Sequence, residues 1–189
     1  VLVGPSHRVM LRGLAAPESI TWAFPGGRFP IDLEALARLS EGFRILFSDQ
    51  AHKEEHSLEV QLPFLHEVLG DIRLVPLVAG DVPPTEVASV LDALWGGPET
   101  LVVISSDLCH YEPYESAKEK DRATAEAIVN LDVRGLDDDS ACGLVPIAGL
   151  VLLARQKKMR AERIDLRNSG DTGGSKRQVV GYGAFGFYE

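Results

Sequence analysis

The residues able to do chemistry gather where apolar runs give way to polar ones. Leu101-Val102-Val103-Ile104 stops abruptly, and Ser105, Ser106, Asp107, Cys109 and His110 follow within six positions. At the start of the chain Val1-Leu2-Val3 runs in the same way into Gly4-Pro5-Ser6-His7. Runs of Leu, Val and Ile without alternation suit strands covered on both faces, as in parallel sheets. Ligands of open α/β sheets bind beyond the carboxyl ends of such strands. Two strand ends that each deliver a histidine imply one shared crevice, with Leu101 to Ser105 expected as the central strand.

Cys142 precedes an apolar helical run, and a helix N-terminus favours a thiolate through its partial positive charge and unpaired amides. Such a thiolate can ligate a metal or attack an electrophile; the competing reading is a buried, inert cysteine. Asp107 lies three residues before His110 and could orient that imidazole for acid–base work, or simply cap a turn. His56 stands between Glu55 and Glu59. His52 lies four residues earlier, so on one continuous helix the two histidines would share a face, the geometry of paired metal ligands. His52 reads equally well as a solvated loop residue, and no His-Glu-x-x-His motif is present. His66 falls on a helical stretch and reads as structural. Ser105 and Ser106 invite a hydrolase reading, which lacks the sharp Gly-x-Ser-x-Gly turn that exposes a nucleophile.

Strands alternating with helices must position these groups, which points to a layered α/β domain. After a polar stretch rich in Gly and Pro, Ile20 to Phe24 reads as a strand closed by Pro25-Gly26-Gly27. Asp32 to Ser40 carries Leu33, Leu36 and Leu39 behind Asp32 as a helix cap. Leu58, Leu62, Leu65 and Leu69 define another helical face. Pro63 favours a helix start nearby, placing His56 just before the first turn. Ile72 to Val78 reads as a strand in which Pro76 hints at an edge or an irregularity. Helices are expected over Pro84 to Trp95, over Tyr114 to Asn130 with a broad solvated face, and from Leu144, where Pro146 must lie in the first turn. Arg160 to Leu166 and Val179 to Phe187 close the chain as strands, with a turn-forming loop from Asn168 to Gly174 between them.

At 189 residues the chain is long enough for one domain to bury roughly 70% of the surface its unfolded form exposes. Apolar residues at 45% and charged residues at 25% exclude a disordered or low-complexity chain. A net charge of -9 argues against nucleic-acid binding, which needs clustered Lys and Arg; the basic stretch from Arg155 to Arg163 is too short to reverse this. No apolar run approaches the ~20 residues that span a bilayer. With two cysteines and no secretory signal, a reducing cytoplasm is the expected compartment. The first residue, Val1, is already inside a strand-like run without a preceding Met, so the chain is expected to lack its natural N-terminal segment.

Taken together, Gly-Pro-Ser-His at 4 to 7, Glu-His-Ser-Leu-Glu at 55 to 59, Ser-Ser-Asp-Leu-Cys-His at 105 to 110, Cys-Gly at 142 to 143, and Asn-Ser-Gly-Asp-Thr at 168 to 172 followed by Val-Val-Gly-Tyr-Gly-Ala-Phe resemble the Memo family. In prokaryotes this is protein B of the AmmeMemoRadiSam system. The resemblance covers the whole chain and implies one domain, 1–189, with the α/β/α layers, mixed sheet and flanking helices of the class III extradiol dioxygenases. Those enzymes hold non-haem iron between two His and a carboxylate; Memo proteins look like variants with a cysteine in the carboxylate's place, associated with iron or copper. By that resemblance His7 and Cys142 are metal ligands, His110 is the acid–base histidine and Asp107 its companion. His56, Ser6 and Glu55 line the pocket. A further ligand of the family lies in a His-Ala-Gly-type segment upstream of the residues present here.

The implied activity is a metal-dependent redox reaction on an unidentified substrate. The alternative is a module that uses the same pocket to bind a peptide or small ligand without turnover. The other proteins of the AmmeMemoRadiSam system are possible partners; nucleic acid and membrane are not expected ones.

Overall fold

The computed structural model describes residues 1–189 as a mixed α/β chain in two compact units, Val1–Ser105 and Ser106–Glu189. No helix is long and apolar enough to cross a membrane.

The first unit is built on β1 (Leu2–Pro5), β2 (Leu14–Ala16), the hairpin β3 (Thr21–Phe24) and β4 (Gly27–Pro30), α1 (Leu33–Gly42), β5 (Ile45–Phe47), α2 (Asp49–Lys53), α3 (Leu62–Leu69), β6 (Pro76–Ala79), α4 (Pro84–Ala93) and β7 (Val103–Ile104). Its five-stranded sheet has the order β5-β2-β6-β1-β7. β1 runs parallel to both β6 and β7, whereas β2 is antiparallel to β6 and parallel to β5, so the sheet is mixed. β1 and β6 are buried along their whole length, as their unalternated apolar sequences require. Each large side chain buried there contributes about 1.5–3 kcal/mol. Helices α1 and α4 turn Ala35, Leu36 and Leu39, and Val87, Ala88, Val90 and Leu91, inward.

Several local signals act as expected. Asp32 caps α1 by accepting the Ala35 amide at 3.0 Å. Pro63 occupies the first turn of α3, where its missing N–H is harmless. Pro25-Gly26 makes the two-residue turn of the β3–β4 hairpin, and the positive φ of Gly26 (105°) is the one a type II turn needs at that position.

Two expectations are corrected. The run Leu101 to Ser105 is not the central strand: β7 holds only two residues, pairs with β1 alone and ends the sheet order, and Leu101 is exposed. The strand carrying Pro76 is interior, lying between β2 and β1, and the proline is tolerated because it is the first residue of β6.

The second unit contains β8 (His110–Glu112), α5 (Tyr114–Val129), α6 (Leu144–Gln156), β9 (Arg160–Asn168) and β10 (Val179–Tyr188). The three strands form an antiparallel sheet in the order β8-β10-β9, and α5 packs on β9 and β10. Its inner stripe is Ala117, Asp121, Thr124, Ala125 and Ile128, a helical spacing with one carboxylate in the middle. Pro146 sits in the first turn of α6, and Cys142 immediately precedes the N-cap Gly143. The outer strand β9 carries Arg160, Glu162, Arg163, Asp165 and Arg167, charges that keep an exposed edge from pairing with other chains.

Candidate functional site

In the first unit the end of β1 delivers His7 to a buried carboxylate. Glu55, 4% exposed, accepts three hydrogen bonds: a short one from the His7 amide, one from the Ser57 amide at 2.9 Å, and the contact of His7 Nδ1 at 3.0 Å. Burial works to raise the Glu55 pKa, but the His7 amide, the His7 ring and the Ser57 amide outweigh it and hold the carboxyl down to about 2. The carboxylate thus assigns the ring proton to Nδ1 and leaves the Nε2 lone pair of His7 uncommitted. That is how histidines that bind metals are usually oriented, with the non-ligating nitrogen bonded to a carboxylate.

The surrounding residues hold this arrangement. Ser57 Oγ donates to the Pro5 carbonyl at 2.9 Å, and Ser6 Oγ donates to the Val9 carbonyl at 2.8 Å, closing the turn that follows β1. Gly4 lets the 57–58 segment lie directly against β1: a Cβ there would stand 2.8 Å from Leu58 Cδ2. His56 is exposed and stacks on His7 with ring centroids 6.1 Å apart at 21°. Ser6, His7, Glu55 and His56 therefore come together as expected.

His52 does not join them as a helical partner of His56. The helix α2 ends at Lys53, so the two histidines share no helix face. The ring of His52 instead packs edge-on against Trp22 at 5.1 Å, and neither ring nitrogen has a well-formed hydrogen bond. His66 packs edge-on against Phe24 and Phe29 and is structural.

In the second unit Asp107, His110 and Cys142 are neighbours. The Asp107 amide donates to Cys142 Sγ at 3.3 Å, and the Cys142 amide donates to the Asp107 carbonyl at 3.2 Å. Asp107 Oδ2 lies 3.6 Å from His110 Nε2, an ion-pair distance too long for a hydrogen bond. Ser106 Oγ donates to the Asp107 carbonyl and accepts the Gly143 amide, both at 2.7 Å, and touches Cys142 Sγ at 3.6 Å. Its proton is committed to a carbonyl and its lone pair to the start of α6. Ser106 is a brace for the cysteine rather than a free nucleophile.

His110 is aimed by a bulge. Val179 pairs with Glu112 and Val180 with His110, so Tyr111 is an extra residue in β8, held at φ +59°. Bulges of this kind re-aim side chains beside functional sites, and a tyrosine in the left-handed region persists only when its surroundings enforce it. Several motif residues do this enforcing. Gly181 pairs by backbone with Leu108 and Cys109, Asn168 and Asp171 close a capping box at the turn before β10, and Ser169 Oγ accepts the Val180 amide at 3.1 Å.

One residue of this neighbourhood escaped the sequence reading. Asp121, 2% exposed, accepts the Cys109 amide at 3.0 Å. The available signal was its place at the centre of the Ala117, Thr124 and Ile128 stripe, an inward-facing line on which a charge is out of character.

Both cysteines are free and differ in kind. Burial, with the Asp121 carboxyl next, pushes the Cys109 thiol up to about 12, whereas Cys142 is half-buried. Iodoacetamide at pH 8 is expected to modify Cys142 and leave Cys109 intact until the chain unfolds. Peptide mass spectrometry over time checks this, and equal rates at the two thiols would contradict it.

The His7 imidazole, with its tautomer fixed, and the Cys142 thiol beside a helix N-terminus are each donors of a kind that suits iron, copper or zinc. No group of three or more His, Cys, Asp or Glu side chains is gathered in a metal-binding arrangement.

Comparison with known proteins agrees with the motifs. The family model described as Memo-like protein matches residues 1–185. A MEMO1 family protein of Ignicoccus hospitalis is 38% identical over 203 residues, covering 99% of this chain and 70% of its own length. MEMO1 family proteins of Methanosarcina acetivorans and Methanosarcina mazei are 39% and 37% identical, each covering 97% of this chain and 73% of the relative. A family match over residues 1–185, with relatives 37–39% identical over nearly the whole chain, places the chain in the Memo family.

Proposed function

We propose that this Memo-family protein is a metal-dependent redox protein in which His7 and Cys142 are metal ligands and His110, paired with Asp107, moves protons. The observation that carries the reading is the Nδ1 contact of His7 with the buried Glu55 carboxylate, which directs Nε2 outward as a donor. Imidazole and thiolate together favour iron, copper or zinc over magnesium or calcium. Iron or copper held by them would supply electron transfer to oxygen or to an organic ligand. The protein's own part is to fix the His7 tautomer through Glu55, to hold the Cys142 sulfur with the Asp107 amide and Ser106, and to offer His110 beside an acceptor carboxylate. The substrate is a small molecule or peptide.

Elemental analysis of the purified protein after loading with iron or copper tests this. His7→Ala and Cys142→Ala should each lose most of the bound metal, and Ser40→Ala, remote from both residues in the sequence, should lose none. Retention of metal by both variants would replace this reading with a second one, a binding module without turnover. The stacked, exposed imidazoles of His7 and His56 favour that alternative, since they offer a flat surface to a planar or anionic ligand.

A further inference from the structure

We infer that Asp121 is a positioning residue for His110: from the inner face of α5 its buried carboxyl group fixes the turn that presents the imidazole to Asp107. The inference rests on the proton-moving role proposed for His110. The successive amides of that turn are each held by a different element of the second unit. The Asp107 amide goes to Cys142 Sγ, the Leu108 amide to the Gly181 carbonyl at 2.9 Å, and the Cys109 amide to Asp121 Oδ1 at 3.0 Å. The next residue is His110, followed at once by the Tyr111 bulge. Asp121 therefore holds the last backbone amide before His110, and the Cys109 carbonyl that follows accepts the Gly181 amide at 2.9 Å.

Gly181 confirms how closely this carboxyl is seated. A Cβ at position 181 would stand 2.0 Å from Asp121 Oδ2 and 2.5 Å from its Cγ, so only glycine permits β10 to cover the group. Cys109, whose amide the carboxyl accepts, belongs to a small buried apolar cluster with Ala117 and Val179. Burial pushes the Asp121 carboxyl up, while the Cys109 amide, the Cys109 thiol and the nearby His110 pull it the other way. Burying a carboxylate costs free energy that a neutral acceptor for the same amide would not incur. The gain lies in the charge-assisted hydrogen bond, which is about twice as strong as a neutral one, at the one turn where the direction of His110 is decided.

The test is NMR of the full chain, metal-free and at constant pH, following the His110 ring resonances and the exchange of the Cys109 amide. Asp121→Ala should shift the His110 ring signals and speed Cys109 amide exchange about tenfold or more, with the signals of His52 and His66 unmoved. Asp121→Asn keeps an oxygen for the amide and should bring both readouts back toward the wild type. His110 signals in Asp121→Ala that coincide with the wild type overturn the inference, as does an Asp121→Asn protein no nearer the wild type than the alanine variant. If Asp121→Ala does not fold, Gly181→Ala decides, because its methyl group displaces the carboxyl without removing it; unmoved His110 signals there also overturn the inference. The readout needs no metal, so its failure leaves the assignment of His7 and Cys142 standing, and loss of that assignment leaves this result standing.

Discussion

Glu55→Ala is expected to lower the stability of the protein by about 3–5 kcal/mol, since hydrogen bonds to a charged group contribute about 1.5–3 kcal/mol each and removing the acceptor strands its donors. Three donors converge on this side chain, the amides of His7 and Ser57 and the His7 ring, and the carboxylate they hold is almost fully buried. Water entering the vacated space offsets part of the loss, so the sum falls below three full bonds. Glu55→Gln keeps one oxygen and should cost less. The pH dependence follows from the depressed pKa. The unfolded carboxyl takes up its proton near 4.5 and the folded one near 2, so the contribution is complete above pH 4.5 and disappears as pH falls toward 2. Urea denaturation checks both statements. A Glu55→Ala cost under about 1 kcal/mol at neutral pH would mean that the three contacts are not formed in solution.

The second large effect belongs to His52 and appears on mild acidification. Burial lowers its pKa to about 4, against weaker opposing pulls from the Ala15 backbone, Asp49 and Glu55. The unfolded chain takes up that proton near 6.5, so the stabilisation is complete above 6.5 and is lost as pH falls through the interval down to 4. At about 1.4 kcal/mol per pH unit, the loss between pH 6.5 and pH 5 approaches about 2 kcal/mol. His52→Leu, which keeps an apolar contact with Trp22, should flatten this part of the curve. A wild-type urea midpoint that stays constant over the same range would show that the ring is solvated, as the loop reading of the sequence has it.

How far the sequence reached depended on whether the deciding interaction was local. The caps and breakers spoke plainly: Asp32 before α1, Pro63 and Pro146 in first turns, and Pro25-Gly26 at the hairpin each act within four residues of themselves. The pairing of strands was harder to read. β2 is three residues of Leu and Ala inside a stretch dominated by Gly, Pro and charge, and its place beside β6 is set by a partner more than sixty positions away. The run at Leu101 has the composition of a central strand but lies at the end of the sheet order, because periodicity reports which faces are covered and says nothing of which strand is adjacent.

Within the candidate site, the residue types were legible and their connections were not. His7, Glu55 and His56 could be named from their motifs. That Glu55 reaches across 48 positions to fix the His7 tautomer is a property of the folded chain alone. The idea of His52 and His56 as a helical pair failed for a simple reason: α2 runs for only five residues. Asp121 went unnoticed because an acidic residue in a helix rich in Ala, Glu and Lys looks like part of a solvated face. Its burial follows from the position of Gly181 on β10, sixty residues later.

The central claim is that His7 and Cys142 are metal ligands, and X-ray absorption at the metal edge of the loaded protein tests it most directly. The spectrum should show one sulfur and at least one imidazole nitrogen among the nearest neighbours, with the sulfur lost in Cys142→Ala and an imidazole contribution lost in His7→Ala. A set of neighbours without sulfur, unchanged by either substitution, would contradict it.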